Sequence, residues 1–265
     1  YLADTSADGD SDGYVDAITQ SYGQREAFLF RGPLVGERHA DTADLTVGTE
    51  MEGLVAAQWI GDIDGVPGSE LPPGNPFYLA PYDYYEFRNG QAEIYSGIAS
   101  GSLGSEDAVA HIWGTPLDCA FGKNFAAIGD LDGDGLGEFA VNAAWFFYGP
   151  VLGDVAPDTA EIVLYTSCNY DQWGRQAVPA GDIDGDGRDD VAVSVTWDNE
   201  QEQAVVFLGD ADRGKAFAEE FTTRITVPDD LDHDPMGGLT TGDFNGDGDT
   251  DVLLGGDGPV WDAPL

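Results

Sequence analysis

Carboxylates recur in this chain at a spacing suited to caging a hard cation. Asp182, Asp184, Asp186 and Asp190 stand at positions 1, 3, 5 and 9 of one short loop, with Gly185 and Gly187 between them. Those glycines permit the positive-φ turns that fold so short a loop back on itself. Calcium takes six to eight oxygens at about 2.3–2.6 Å and tolerates irregular geometry. The four carboxylates, together with the backbone carbonyl of Arg188 at position 7, can supply such a shell. Without a cation, carboxylates that close repel one another by roughly 1 kcal/mol per pair even at water-like dielectric. The chemistry expected of the loop is therefore the binding of a divalent cation, Ca2+.

The unit returns along the chain. Asp8, Asp10, Asp12 and Asp16 form a complete copy, with Tyr14 at position 7. Asp130, Asp132, Asp134 and Glu138 form another, with Leu136 at position 7. In the last copy Asp243, Asp247 and Asp251 are joined by Asn245, a neutral oxygen ligand at position 3, and by Asp249 at position 7. A worn copy keeps Asp62, Asp64 and Glu70, has Val66 at position 5, and is followed by Leu71-Pro72-Pro73-Gly74-Asn75-Pro76, which reads as an insertion. About four calcium sites are expected from the complete copies, the worn loop being the weakest of the five. First positions at 8, 62, 130, 182 and 243 set a long period, the mark of a repeat architecture.

The flanking segments decide what holds these loops. An EF-hand needs a bidentate Glu at position 12 and a helix on each side. Position 12 here is Thr19, Val141, Val193 or Leu254, and the flanks are rich in β-branched and aromatic residues without a helical stripe. Strand–loop–strand fits. In the third repeat Phe125–Gly129 enters the loop, Phe139–Ala143 leaves it, and Trp145–Gly149 and Ile162–Thr166 complete a group of four strands. The fourth repeat reads alike through Gln176–Ala180, Val191–Thr196, Ala204–Gly209 and Phe221–Val227, and the second through Leu54–Ile60, Phe77–Pro81, Ala92–Ser96 and Val109–Trp113. The fold expected is all-β, a β-propeller of four-stranded antiparallel blades. Blade boundaries fall near 1–50, 51–116, 117–168 and 169–230, with a partial blade at 231–265, so the chain carries about four and a half blades in one region.

At this point Phe121-Gly122, Gly129-Asp130 and Phe139-Ala140-Val141-Asn142-Ala143-Ala144 resemble the FG-GAP repeat of integrin α-subunit β-propellers. Trp173-Gly174 with Gly181-Asp182, and Gly237-Gly238 with Gly242-Asp243, match the same frame; Met51, Gly53 and Gly61-Asp62 match it loosely. The resemblance implies calcium held between the first two strands of each blade, in a ring that usually closes with seven blades. The chain opens at Tyr1 without Met and is expected to be a processed or excised piece. Its remaining blades would come from a longer polypeptide or from another copy. The "GAP" tripeptide itself departs from the family, being Asn142-Ala143-Ala144, Ser194-Val195-Thr196 or Gly255-Gly256-Asp257.

Composition narrows the function. Fifty acidic against ten basic residues give a formal net charge of −40. This argues against nucleic acid or anionic membrane as a partner, since both call for basic patches. No apolar run is long enough to span a bilayer, so no membrane insertion is expected. Cys119 and Cys168 each precede a repeat and are read either as a disulfide between neighbours or as two buried thiols. No nucleophile elbow, phosphate loop, paired-His or paired-Cys motif occurs, and His39, His111 and His233 are scattered, so no catalytic residue is assigned. The aromatic run Phe77–Phe87 serves packing or recognition. The cell-attachment tripeptide Arg-Gly-Asp is absent. The function expected is that of a secreted or cell-surface calcium-binding module for adhesion, for binding a protein or glycan, or for structure. The alternatives are a scaffold for a polysaccharide-active hydrolase or lyase, and a self-assembling surface or filament subunit.

Overall fold

The computed structural model describes residues 3–4, 8–21, 26–48, 56–75, 90–114, 121–164, 176–196, 202–210, 223–226 and 234–257. Among them every regular element is a strand, apart from three short 3-10 turns at Ala40–Thr42, Ser105–Asp107 and Pro157–Thr159. The all-β architecture is that of propeller blades: successive antiparallel meanders, each four strands wide, followed by a hairpin.

The first sheet runs Ala3–Asp4, Ala17–Ser21, Glu26–Phe30 and Leu45–Gly48. The second runs Ala56–Ala57, Pro73–Asn75, Gln91–Ile94 and Ala110–Trp113. Phe125–Gly129, Glu138–Val141, Trp145–Phe147 and Ile162–Val163 make the third, and Ala177–Gly181, Asp190–Thr196, Glu202–Phe207 and Thr223–Thr226 the fourth. Asp234–Gly242 pairs with Asp251–Asp257 in the closing hairpin.

The second repeat differs from expectation. The tract read as an insertion is itself the second strand: Leu71 bridges to Tyr95, and Pro73–Asn75 pairs with Ala56–Ala57 on one side and Gln91–Ala92 on the other. Its prolines hide it, because a residue without an N–H argues against a central strand. Position makes it a strand, since the last acid of the loop runs straight into strand two here as it does at Glu138 and Asp190. The strand expected at Phe77–Pro81, the aromatic run Phe77–Phe87, Cys119, Cys168, His233 and the motif residues Met51, Gly53, Trp173 and Gly174 lie outside the described residues.

Alternation along the strands explains how the sheets stack. Phe139, Val141 and Phe147 point toward the second sheet and pack with Ile94, Ala110 and Ile112. Ala140 and Phe146 point the other way, joining Val191, Val193, Val205 and Phe207 of the fourth sheet. Ala192, Ala204 and Val206 turn from the fourth sheet to Leu239 of the hairpin. A sheet buried on both faces reads as a continuous apolar run, as Trp145-Phe146-Phe147-Tyr148 does.

A fifth strand, invisible to the four-strand reading, ties neighbours together. Gly101–Leu103 leaves the second repeat and pairs in parallel with Leu45–Val47 of the first sheet. Gly153–Val155 leaves the third repeat and pairs in parallel with Ala110–Ile112 of the second. Each strap begins at a positive-φ glycine whose N–H donates to the residue before the neighbour's outer strand: Gly101 to Asp44 O (3.0 Å) and Gly153 to Val109 O (2.9 Å).

Candidate metal centres

Every acidic loop is folded by its own carboxylates. Asp130 Oδ1 accepts the N–H groups of Gly133 (2.7 Å) and Asp134 (3.0 Å), and its Oδ2 accepts that of Gly135 (2.9 Å). Asp182 repeats the pattern with Gly185, Asp186 and Gly187, and Asp243 with Gly246, Asp247 and Gly248. Asp8 takes the N–H groups of Asp12 and Gly13, and Asp62 that of Gly65. Positions 3 and 5 each accept the N–H two residues on, as in Asp132 from Asp134 (3.0 Å) and Asp134 from Leu136 (2.9 Å). These are Asx turns, which bring alternate side chains to one side of the loop. A bulge between Ala127 and Gly129, and another between Pro179 and Gly181, bends the entering strand just before the loop.

The ninth residue closes the loop from beneath. It begins or directly precedes strand two and accepts the N–H of position 2: Gly9 to Asp16 (2.9 Å), Ile63 to Glu70 (2.8 Å), Leu131 to Glu138, Ile183 to Asp190 (2.7 Å) and Phe244 to Asp251 (3.1 Å). Where this residue is Asp, its other oxygen takes a second amide: Gly32 N–H to Asp16 Oδ1 and Gly209 N–H to Asp190 Oδ1, both 2.8 Å. The longer Glu does not. Oε1 of Glu70 and of Glu138 is buried without a hydrogen-bond partner, as is Oδ1 of Asp10.

Four groups of acids converge. Oxygens of Asp130, Asp132, Asp134 and Glu138 lie within 4.8 Å of one another, as do those of Asp8, Asp10 and Asp16, of Asp62, Asp64 and Glu70, and of Asp182, Asp184 and Asp190. The worn loop thus gathers its acids within the same distance as three of the complete ones. Burial pushes the Glu70 and Glu138 carboxyls up to about 8, with repulsion from the other loop acids adding to it. Asp16 and Asp190 are raised for the same reason. Asp243, at the surface, is instead lowered by the N–H groups of Gly248 and Gly246.

Other expected ligands are held elsewhere. Asp12 is outside the first group, and Asp186 is outside the fourth because its carboxylate is paired with the Arg188 guanidinium. Asp243, Asp247 and Asp251 form no such group; Asn245 offers Oδ1 to the Asp247 N–H (2.9 Å) and Nδ2 to Asp251 (3.5 Å). Arg31 brings a cation to the first loop, its Nε 3.0 Å from Asp10 Oδ2. Tyr14, Leu136, Arg188 and Asp249 hold position 7 by donating their N–H groups to the position-5 carboxylates at 2.9 Å.

A profile of FG-GAP-like repeats matches residues 182–254. Residues 182–254 are an FG-GAP-like repeat. The match runs from the fourth acidic loop through the last three strands of the fourth sheet and past the loop at 243–251, so the matched stretch contains two copies of the spacing and the strands between them. No curated protein matches the chain.

One cluster escaped the sequence reading. Glu93, buried in the second sheet, accepts Tyr95 Oη–H (2.8 Å) and Ser105 Oγ–H (2.6 Å). Ser105 also lies 3.4 Å from His111 Nε2, and His111 Nδ1 lies 3.7 Å from Asp154. Ser, His and Asp meet because the strap of the third repeat sets Asp154 beside His111. The hydroxyl proton, however, is directed at Glu93, and His111 Nε2 is 3.0 Å from the Ser105 carbonyl. Antiparallel pairing sets Glu93 opposite His111, and only Asp154 is brought in by the parallel strap, so nothing in the sequence spacing announces its arrival.

Proposed function

We propose that this chain is an extracellular calcium-binding propeller module whose loops hold Ca2+ and whose role is adhesion, ligand binding or structural support. The observation that carries it is the Glu138 carboxylate: fully buried, with one oxygen unpartnered, among three further carboxylates within 4.8 Å. A buried anion without a partner is costly, and a hard cation is the partner that satisfies four such groups together. Asp130, Asp132, Asp134 and Glu138, with the Leu136 carbonyl, would hold the ion of the third loop. Asp182, Asp184 and Asp190 with the Arg188 carbonyl would do so in the fourth, and Asp8, Asp10 and Asp16 with the Tyr14 carbonyl in the first. Asp62, Asp64 and Glu70 make a fourth site. The loop of Asp243, Asn245, Asp247, Asp249 and Asp251 would bind last.

Extracellular calcium modules bind at about 10⁻⁴–10⁻³ M, and at ten times the dissociation constant each filled site stabilises the fold by roughly 1.4 kcal/mol. The surplus of acid over base supports a secreted or cell-surface setting and a protein or glycan partner rather than nucleic acid. Among the described residues no helix is long and apolar enough to cross a membrane. The direction of the Ser105 proton supports a non-catalytic role. Calorimetric titration with Ca2+ after chelation tests the proposal: multiple sites are expected, and absence of binding heat with an unchanged melting temperature overturns it.

A further inference from the structure

Asp189 occupies position 8 of the fourth loop, a place the calcium reading leaves without a role. Its backbone N–H donates to Asp130 O (2.9 Å), and its Oδ2 accepts the Asp130 N–H (2.9 Å). Asp130 is the first residue of the neighbouring loop and the one whose carboxylate folds it. Both peptide groups flanking the Asp130 Cα are thus held by one residue of the next repeat. Gly129 must lack a side chain for this to happen, because a Cβ there would fall 2.3 Å from Asp189 Oδ2.

Position 8 of the third loop makes the same backbone contact, Gly137 N–H donating to Asp62 O (2.7 Å), while in the second loop Ser69 N–H reaches position 2 of its neighbour, Gly9 O (3.3 Å). Only Asp189 among these adds a side-chain acceptor, so the third and fourth loops carry the firmest link. Asp189 is also flanked by Arg188, the position-7 carbonyl, and by Asp190, the buried ninth residue. Fixing those two around an ion fixes Asp189 between them.

We propose that Asp189 is a positioning residue that couples the two cation sites, so that an ion in loop 182–190 raises the affinity of loop 130–138. The inference rests on the calcium reading above. It follows from the geometry: ordering Asp189 orders both amide neighbours of Asp130, and the third loop then loses less freedom on binding. Coupling is reciprocal, so an ion in the third loop favours the fourth equally.

The test is a site-resolved Ca2+ titration by NMR, following the Gly133 and Gly135 amides for the third loop and the Gly185 and Gly187 amides for the fourth. Asp184→Ala removes a ligand oxygen from the fourth site without touching the third. In an otherwise native chain it is expected to shift the third-loop midpoint to about three- to tenfold higher Ca2+, the range that one or two hydrogen bonds provide. In Asp189→Ala the same change is expected to shift it less than twofold. Asp189→Asn keeps an acceptor oxygen and is expected to retain most of the coupling, which guards against misfolding of the alanine variant. Equal shifts in the native and Asp189→Ala backgrounds, or no shift in either, overturn the coupling while leaving calcium binding intact. A native chain whose loop amides ignore Ca2+ altogether overturns the calcium reading, and the coupling with it.

Discussion

Glu138 turns Oε2 onto the backbone N–H of Leu131, seven residues earlier, and leaves Oε1 enclosed and unpartnered. In the fourth repeat the shorter Asp190 gives both oxygens an amide, from Ile183 and Gly209. One methylene therefore separates a carboxylate with both oxygens hydrogen-bonded from one with an oxygen left over.

Replacing Glu138 with Gln should have opposite effects with and without calcium. Glu138 must take up a proton, or be buried as an anion, beside Asp130, Asp132 and Asp134, and the neutral amide avoids that cost, so at neutral pH the calcium-free protein should melt higher than wild type. The same change removes an anionic ligand, so the calcium-induced rise in melting temperature should shrink. Thermal denaturation in chelator and in millimolar Ca2+ gives both numbers, and a drop in both conditions contradicts the assignment.

The buried glutamates set the pH response. In the folded chain Glu70 and Glu138 are both pushed up to about 8 from an ordinary value of 4.5. A raised folded-state value favours the protonated form, so the stability it contributes is present below 4.5 and lost as pH rises through 8. Calcium-free protein should thus become less stable across that window. Calcium binds the ionised form, so binding at neutral pH should release protons, and calorimetry in buffers of different ionisation enthalpy measures them.

Gly90 marks where the third repeat leans on the second. It forms a parallel bridge with Phe121, at φ +72, and a Cβ on it would fall 1.9 Å from the Phe121 carbonyl oxygen. Gly90→Ala should destabilise by about 1–3 kcal/mol from overpacking, with about 1–2 kcal/mol more from the left-handed backbone. Urea unfolding checks this, and a change under 0.5 kcal/mol, the usual range of a neutral surface substitution, contradicts it.

Ala143 offers the reverse case. With Asn142 it forms the turn between strands two and three of the third sheet, both residues at φ +52. Asn tolerates that region and its Oδ1 accepts the Lys123 N–H (2.8 Å), whereas Ala merely bears the strain. Ala143→Gly should raise stability by about 0.5–1 kcal/mol after the entropy of the freer unfolded chain is counted; a fall would show that the Ala143 methyl contributes more by burial.

The loops and most strands were legible because their signals are local. Acids two residues apart, glycines between them and β-rich flanks can be read within ten residues, and the same spacing locates Asp182 and Asp190 correctly around the turn. The strand Pro73–Asn75 is not legible, because Pro72 and Pro73 mask a strand whose place is fixed by the loop before it. Convergence in the worn loop was underrated for a different reason: Asp62 and Asp64 meet Glu70 without any acid at position 5. Straps such as Gly101–Leu103 left no local trace, because their partner Leu45–Val47 lies more than fifty residues away and the pairing is parallel. The contact of Asp154 with His111 comes from the other strap, Gly153–Val155 paired with Ala110–Ile112.

Those straps also redefine what a module is. Since Gly101–Leu103 belongs by sequence to the second repeat but by hydrogen bonding to the first sheet, a cut placed between sheets leaves the earlier one with a bare edge open to foreign strands. A transplantable unit must therefore carry its successor's overhang. Duplication or grafting of a lone meander would expose that edge, while a segment spanning two neighbours would arrive already sealed at its first seam.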